Sequence, residues 1–279
     1  MGSDLKRYFS QMGARIRVIE NAPDRRPRQL RRNGEAPPQL VLDIERDKAG
    51  EFFEVRKALG SRQELIVLNV KPSEKHLLLL SRQFDEEGRI RAKQKFLCGH
   101  DERHWFVAAI PENEPVSTVK GAKLALKPAE VRQQEDRLGI SEKESSRRRN
   151  AAFIRQGEWF FIPVENLAVD PKHILHDEPL SRGNGGKPHW AEECYRSGGE
   201  TVYVSAKYPA GISVGEFRRL SDEVRKRENF RTMQRDAAVH VRGEISHPDH
   251  ATVRLSNWHR VLMNTENRSQ AMRFLAFLD

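Results

Sequence analysis

Short apolar runs separated by turn residues dominate the pattern of residues 50–111. The runs follow one another at near-regular spacing, with turns at Gly60-Ser61 and Pro72-Ser73 between them. This pattern is typical of an antiparallel meander of strands. The stretch from Leu77 to Leu80 is apolar at every position, so its strand should be central in the sheet and covered on both faces.

The patterns of two segments after these strands predict helices. Ser117 to Gly139 has a helical pattern that Pro128 should break or restart. In residues 213–228, Ser213 has Glu216 three residues on, which is the signature of a capping box. Four apolar residues of that segment recur at helical spacing: Val214, Phe217, Leu220 and Val224.

Changes in composition divide the chain into four predicted segments. Gly, Pro, Arg and Asn dominate residues 21–34, which predicts a basic, partly disordered arm over 1–45 that does not fold alone. The predicted segments are an arm at 1–45, an antiparallel-sheet domain with a C-terminal helix at 46–140, a charged linker at 141–150, and a β-barrel-like or sandwich-like domain with one inserted helix at 151–279. The predicted fold class is α+β, with two small, mainly antiparallel β domains.

The charge balance favours an anionic partner. The 279 residues include 49 basic and 40 acidic side chains, which gives a net charge of +9. No apolar run approaches the roughly 18 residues that a membrane span needs, and the chain opens without the apolar stretch of a secretory signal. The two cysteines, Cys98 and Cys194, are far apart and imply no disulfide framework. We therefore expect a cytoplasmic protein that binds nucleic acid and no membrane.

Two arginine clusters are the candidate phosphate contacts. Arginine side chains that neutralise phosphates supply affinity without reading sequence, so the pattern does not distinguish RNA from DNA. The alternative interpretation is a solvated tail and a solvated linker. The candidate nucleic-acid-binding residues are Arg25, Arg26, Arg28, Arg31, Arg32, Arg147, Arg148 and Arg149.

Residues 155–164 carry a resemblance to a known family. Their Arg-Gln-Gly-Glu opening resembles a family of small proteins of phages and bacteria that begin with an Arg-Gln-Gly-Asp strand and continue through a Gly-His-x-His loop and a His-Glu-Glu-His turn. Gly186 to His189 stands where the first histidine loop would be, and His247 to Thr252 stands where the second would be. The first loop here has one histidine in place of two, and residues 213–228 are an insertion. The resemblance covers roughly 151–279 and implies a compact β fold, but no activity.

The histidines of the second half form the leading candidate metal site. His247 and His250 flank a Pro-Asp turn, and His189 has Glu192 three residues on. Imidazole and carboxylate ligands suit a divalent metal such as Zn, Fe or Mn. The alternative interpretation is that these histidines hydrogen-bond loops. The predicted ligands are His189, Glu192, His247 and His250.

Three further patterns are weaker candidates. His100 and His104 have the i, i+4 spacing of a zincin site, but the surrounding residues predict a hairpin, whereas that site needs a helix. The loop 183–187 is glycine-rich, yet Pro188 follows its lysine where a phosphate-binding loop has Ser or Thr. The chain has four tryptophans, of which all but Trp190 lie in or beside apolar runs typical of a core.

Three functions are compatible with these patterns. The first is a basic nucleic-acid-binding or accessory protein, the second a metal-dependent enzyme with its site in the second half, and the third a structural or assembly component. Neither a protein partner nor a reaction follows from the residues. Metal analysis of the purified protein separates the second function from the others, and a salt-dependent binding assay separates the first from the third. The structure shows whether His189, His247 and His250 lie together.

Overall fold

The computed structural model describes residues 2–22, 40–181 and 187–269. Its helices are α1 Gly2–Gln11, α2 Val119–Ala125, α3 Ala129–Arg137, α4 Glu142–Ser145, α5 Val214–Arg219 and α6 Asp222–Arg227. The strands of the first half are β1 Ile16–Ala22, β2 Leu40–Asp47, β3 Gly50–Ala58, β4 Gln63–Lys71, β5 His76–Phe84, β6 Ile90–Asp101 and β7 His104–Ile110. Those of the second half are β8 Ile154–Gln156, β9 Trp159–Pro163, β10 Leu175–Leu180, β11 His189–Ser197, β12 Glu200–Val204, β13 Ile212–Ser213, β14 Arg231–Arg235, β15 Ala238–His247 and β16 His250–Met263.

The strands form four mostly antiparallel sheets, which confirms the α+β class. The first half has a sheet of order β1-β3-β2, in which β1 and β3 run parallel, and a meander of order β4-β5-β6-β7. The second half has a six-stranded sheet of order β10-β11-β15-β16-β9-β8 and a small sheet of order β13-β12-β14. Within the described residues no sheet closes into a barrel, so the barrel-like form predicted for 151–279 is not seen.

The apolar strand β5 lies inside its sheet, as its pattern predicted. Leu77, Leu78 and Leu79 are fully buried, and the period of two along a strand sends them to opposite faces. Leu77 and Leu79 join the core beneath α1 and the first sheet, whereas Leu78 joins the core beneath α2. Two layers therefore cover the meander, which explains why this strand shows no polar alternation.

The predicted helices form, with breaks that their sequences explain. Pro128 stands between α2 and α3, because a proline cannot continue the hydrogen bonding of the preceding turn. Ser213 and Glu216 make the predicted capping box at the start of α5. The single helix expected over 213–228 is two short ones, because Leu220 is extended and Ser221 caps α6 anew.

Residues 2–22 belong to the folded core, which corrects the expectation of an arm over 1–45. Leu5, Phe9 and Met12 follow one face of α1 and its end, and all three are buried against β3 and the meander. Leu40 and Leu42 of β2 are buried in the same core. The arginine cluster at 25–32 lies outside the described residues.

The two halves share a core, although the predicted boundary separates them. Val131 of α3 packs with Phe153, Phe160 and Ile162 of the second half. Thr265 then donates from its hydroxyl to the Ala125 carbonyl at the end of α2, at 2.6 Å. The α2–α3 unit is therefore held to both halves, and the domain limits at 140 and 151 stay a prediction.

Replacement of Phe9 by alanine is expected to lower the free energy of unfolding by about 3–5 kcal/mol, the usual loss for a large buried aromatic side chain. Phe9 is fully buried and makes an edge-to-face contact with Phe53 at 4.9 Å between ring centroids. Urea unfolding measures the change. Replacement of the exposed Lys6 on the same helix is the matched control and should have little effect. Equal stability of the two variants would show that α1 does not hold the fold.

Candidate metal centre

Three histidines of the second half meet at one end of the six-stranded sheet. His189 is the first residue of β11, His247 is the last of β15, and His250 is the first of β16. Trp190 pairs with Ser246, and His247 pairs with His250 across the hairpin turn. Strand register therefore places the three imidazoles side by side, although more than fifty residues separate the first from the others.

The three imidazoles bring one ring nitrogen each close together. One ring nitrogen from each lies within 4.8 Å of the others, and within the described residues this is the one such set of three or more metal-binding side chains. The ring of His189 stacks on those of His247 and His250, with centroid distances of 4.2 and 5.4 Å. Ligand atoms of a tetrahedral zinc site lie about 3.4 Å apart, given bonds of about 2.0–2.1 Å. The mutual distance of up to 4.8 Å between the three nitrogens is wider than that.

Gly157 keeps the space beside these nitrogens open. It forms the turn between β8 and β9 with a φ of +56°, a conformation that glycine adopts without strain. A Cβ atom at this position would lie 2.9 Å from Nε2 of His250 and 3.3 Å from Nε2 of His189. The Nε2 atoms of both residues therefore border the volume above Gly157, and a side chain there would fill it.

The surroundings favour neutral imidazoles, the form that binds metal. Burial lowers the pKa of His247, and the neighbouring His250 lowers it further. Burial also lowers the pKa of His250, against the opposing effect of Glu102 and Glu158. His247 accepts a hydrogen bond at Nδ1 from the Asp249 amide at 3.1 Å, and its Nε2 lies 3.3 Å from the Lys187 carbonyl. A metal bond from His247 therefore has to replace one of these two contacts.

Glu192, the fourth ligand predicted from the sequence, is not part of the cluster. Three residues along a strand place its side chain on the opposite face from His189, where it is exposed. Its carboxylate accepts a hydrogen bond from the Glu244 amide at 2.7 Å. A spacing of three residues would place His189 and Glu192 on one face of a helix, but in the strand β11 it places them on opposite faces.

The segment with the zincin-like spacing forms the hairpin that the surrounding residues predicted. β6 ends at Asp101 and β7 begins at His104, so no helix places His100 and His104 on one face. His104 nevertheless approaches Asp249, in the turn between His247 and His250, from the first half. Its Nδ1 lies 2.6 Å from a Glu51 carboxylate oxygen, and its Nε2 lies 3.8 Å from Asp249.

The arginines at 147–149 have different environments. Arg148 is half-buried and forms ion pairs with both Asp101 and Glu102 at the hairpin tip, where Arg155 also reaches Asp101 at 3.1 Å. Burial lowers the pKa of Arg148 to about 10, and the nearby positive charge of Arg155 adds to that shift. Arg148 is therefore engaged within the fold, while Arg147 and Arg149 are exposed.

A cleft of about 950 Å³ opens between the two halves, and His189, His247 and His250 form part of its wall. Six histidines line it, together with eight acidic and seven Lys or Arg side chains of the described residues. Opposite charges are paired along it, as between Lys187 and Asp249 at 2.9 Å. The positive net charge of the chain is thus not concentrated in this cleft.

The glycine-rich loop and the tryptophans are the remaining features singled out from the sequence. Of the loop 183–187, the structure describes Lys187, which pairs with Asp249. Trp159 and Trp258 are buried and Trp105 packs against the first core, while Trp190 is exposed, as the pattern of apolar runs predicted. None of the helices in the described part of the chain has the length and apolar character that crossing a membrane requires.

The sequence patterns missed two residues of the site. Gly157 stands in the Arg-Gln-Gly motif, and a glycine between two short strands is a recognisable signal for a turn with positive φ. Glu102 is two residues before His104 in the sequence, but the residue that it contacts, Ala251, is 149 positions farther along the chain. A local pattern contains no signal for such a contact.

No protein-family model, curated protein or solved structure matches this chain.

Proposed function

We propose that this protein is a metal-dependent enzyme whose divalent ion is bound by His189, His247 and His250. The observation that supports this proposal is the proximity of three imidazoles, one ring nitrogen of each lying within 4.8 Å of the others. Strand register places the three residues side by side, and the Nε2 atoms of His189 and His250 border the same volume above Gly157.

The number of ligands favours catalysis over a structural role. Structural zinc sites have four protein ligands, whereas catalytic sites have three and leave a position for water or substrate. Three histidines here border a cleft of a size that accommodates a small molecule or part of a larger one. Imidazole ligands suit Zn, Fe, Ni or Cu ions.

The chemistry that such a site supplies is activation of a bound water molecule. A metal ion lowers the pKa of its water toward neutrality and so generates a nucleophile. Glu158 and Asp249 line the cleft near the histidines and offer carboxylates for proton transfer. Hydrolysis is the reaction class that these groups fit best.

Metal analysis of the purified protein tests the proposal. After incubation with Zn²⁺ and removal of unbound ions, we expect about one ion per chain, the stoichiometry of a single three-histidine site. Parallel incubations with Fe²⁺, Mn²⁺, Ni²⁺ and Co²⁺ establish the preferred metal. Background levels for every ion would refute the proposal.

Nucleic-acid binding is the second candidate, and the exposed Arg147 and Arg149 are the observation that favours it. We expect the Arg147→Glu and Arg149→Glu double variant to bind single-stranded RNA or DNA more weakly at every sequence tested. Binding should also weaken with salt, with a log–log slope of about −0.7 per phosphate contact. Arg148 is left unchanged, because its ion pairs hold the hairpin tip.

The Arg218→Glu and Arg219→Glu double variant on α5 is the matched control, since these arginines are also exposed and the change in net charge is the same. Electrophoretic mobility shift measures the nucleic-acid affinity of both double variants at about 0.1 M salt, where the Debye length is about 10 Å. Absence of binding by the unaltered protein, or equal losses in the two pairs, would exclude an interface at residues 147 and 149.

A further inference from the structure

We infer that Glu102, at the hairpin tip of the first half, is a positioning residue that orients His250 for metal binding. The inference rests on the proposed metal site and adds a residue from the other half of the chain to it. In metal centres, a ligating histidine generally donates its second ring N–H to a carboxylate, which fixes the ring and makes it a better ligand. The carboxylate of Glu102 lies 3.6 Å from Nδ1 of His250, longer than a hydrogen bond, and would accept that N–H once the ring is bound to a metal ion.

The contacts of the carboxylate support this role. One oxygen of Glu102 accepts a hydrogen bond from the Ala251 amide at 2.8 Å and lies 3.6 Å from Nδ1 of His250. The other oxygen forms an ion pair with Arg148. The side chain is therefore held between a fixed arginine and the strand that carries the histidine, and its charge faces that ring.

The geometry also assigns the two nitrogens of His250. Nδ1 faces Glu102, whereas Nε2 borders the space above Gly157 together with Nε2 of His189. The ring thus has its carboxylate on one side and the open volume on the other. A proton on Nδ1 leaves the Nε2 lone pair for the ion.

The Glu102→Gln variant tests the inference, because glutamine keeps the shape and can still accept from the Ala251 amide, but lacks the charge. We expect its affinity for Zn²⁺, measured by competition with a chromophoric chelator, to fall about 10- to 100-fold. In the zinc-loaded unaltered protein, the Nδ1 proton of His250 should give a downfield NMR signal protected by the carboxylate. That signal should be lost in the variant.

Asp101→Asn is the matched control. Asp101 is the neighbouring carboxylate and pairs with the same Arg148, and the carboxylate that lies against His250 is that of Glu102. The control should keep the zinc affinity and the His250 signal. Equal losses of zinc affinity in both variants would show that the ion pairs with Arg148, and not the orientation of His250, control the affinity. An unchanged zinc affinity of Glu102→Gln would also overturn the inference. Failure of the unaltered protein to bind any metal would instead refute the metal site itself.

Discussion

Replacement of His189 by alanine is expected to abolish stoichiometric metal binding and leave the fold intact. His189 is buried at the centre of the cluster, and its ring stacks on both of the other imidazoles. Its loss leaves two histidine ligands, which is one fewer than a catalytic zinc site uses. Isothermal titration with Zn²⁺ and elemental analysis measure the bound ion, and circular dichroism checks the secondary structure.

His240→Ala is the matched control for this variant. His240 is likewise buried and stands on β15, the strand that ends in His247, but it lies outside the cluster. Its replacement should leave one ion per chain. If both variants lose the ion, the loss reflects a damaged sheet, and if both keep it, His189 is not a ligand.

Replacement of Gly157 by alanine is expected to block the metal site and to destabilise the turn. Alanine at a φ of +56° costs about 1–2 kcal/mol of folding free energy, because its Cβ meets the neighbouring carbonyl oxygen. The same Cβ would lie 2.9 Å from Nε2 of His250, so this ring has to move away from its present position. We therefore expect a lower urea midpoint together with loss of zinc binding.

Gly198→Ala separates these two effects. Gly198 has a φ of +66°, close to that of Gly157, but a Cβ there would meet nothing within 4 Å. This control should lose a similar free energy of unfolding and should still bind one ion. Retention of zinc binding by Gly157→Ala would contradict the assignment of the Nε2 atoms to the space above this residue.

Metal binding should couple the two halves of the chain. The ligands come from β11, β15 and β16, while Glu102, His104 and Glu51 approach from the first half. An ion that binds the folded protein and not the unfolded chain raises the stability of the whole by mass action. A substrate in the cleft would contact both halves at once, because both contribute to its walls.

Local patterns were sufficient for much of the secondary structure. The meander, the central position of Leu77–Leu80, the break at Pro128 and the capping box at Ser213 follow from interactions within a few residues. The expected arm over 1–45 does not hold for residues 2–22, where Leu5, Phe9 and Met12 have helical spacing and are buried. The core that covers α1 comes from β3 and the meander, and no window at the start of the chain contains them.

The members of the histidine cluster were only partly predictable from the sequence. The residue types and the turn at Pro248-Asp249 pointed to His189, His247 and His250, since imidazoles are frequent ligands. Glu192 was assigned by spacing alone, and a strand sends it to the opposite face. The register of β11 against β15 decides which side chains meet, and a shift by one residue would reverse every face.

By itself, the sequence determined which apolar runs become strands, which histidines are present, and that residue 157 is a glycine. Tertiary structure alone decided which groups meet. Glu102 contacts the amide of Ala251 across 149 residues, and Arg148 holds that glutamate in a left-handed turn. Such contacts depend on how two sheets pack, which is set by summed burial and strand register over the whole chain. A local pattern of residues contains neither quantity, so the hairpin tip becomes part of the candidate site only in the folded protein.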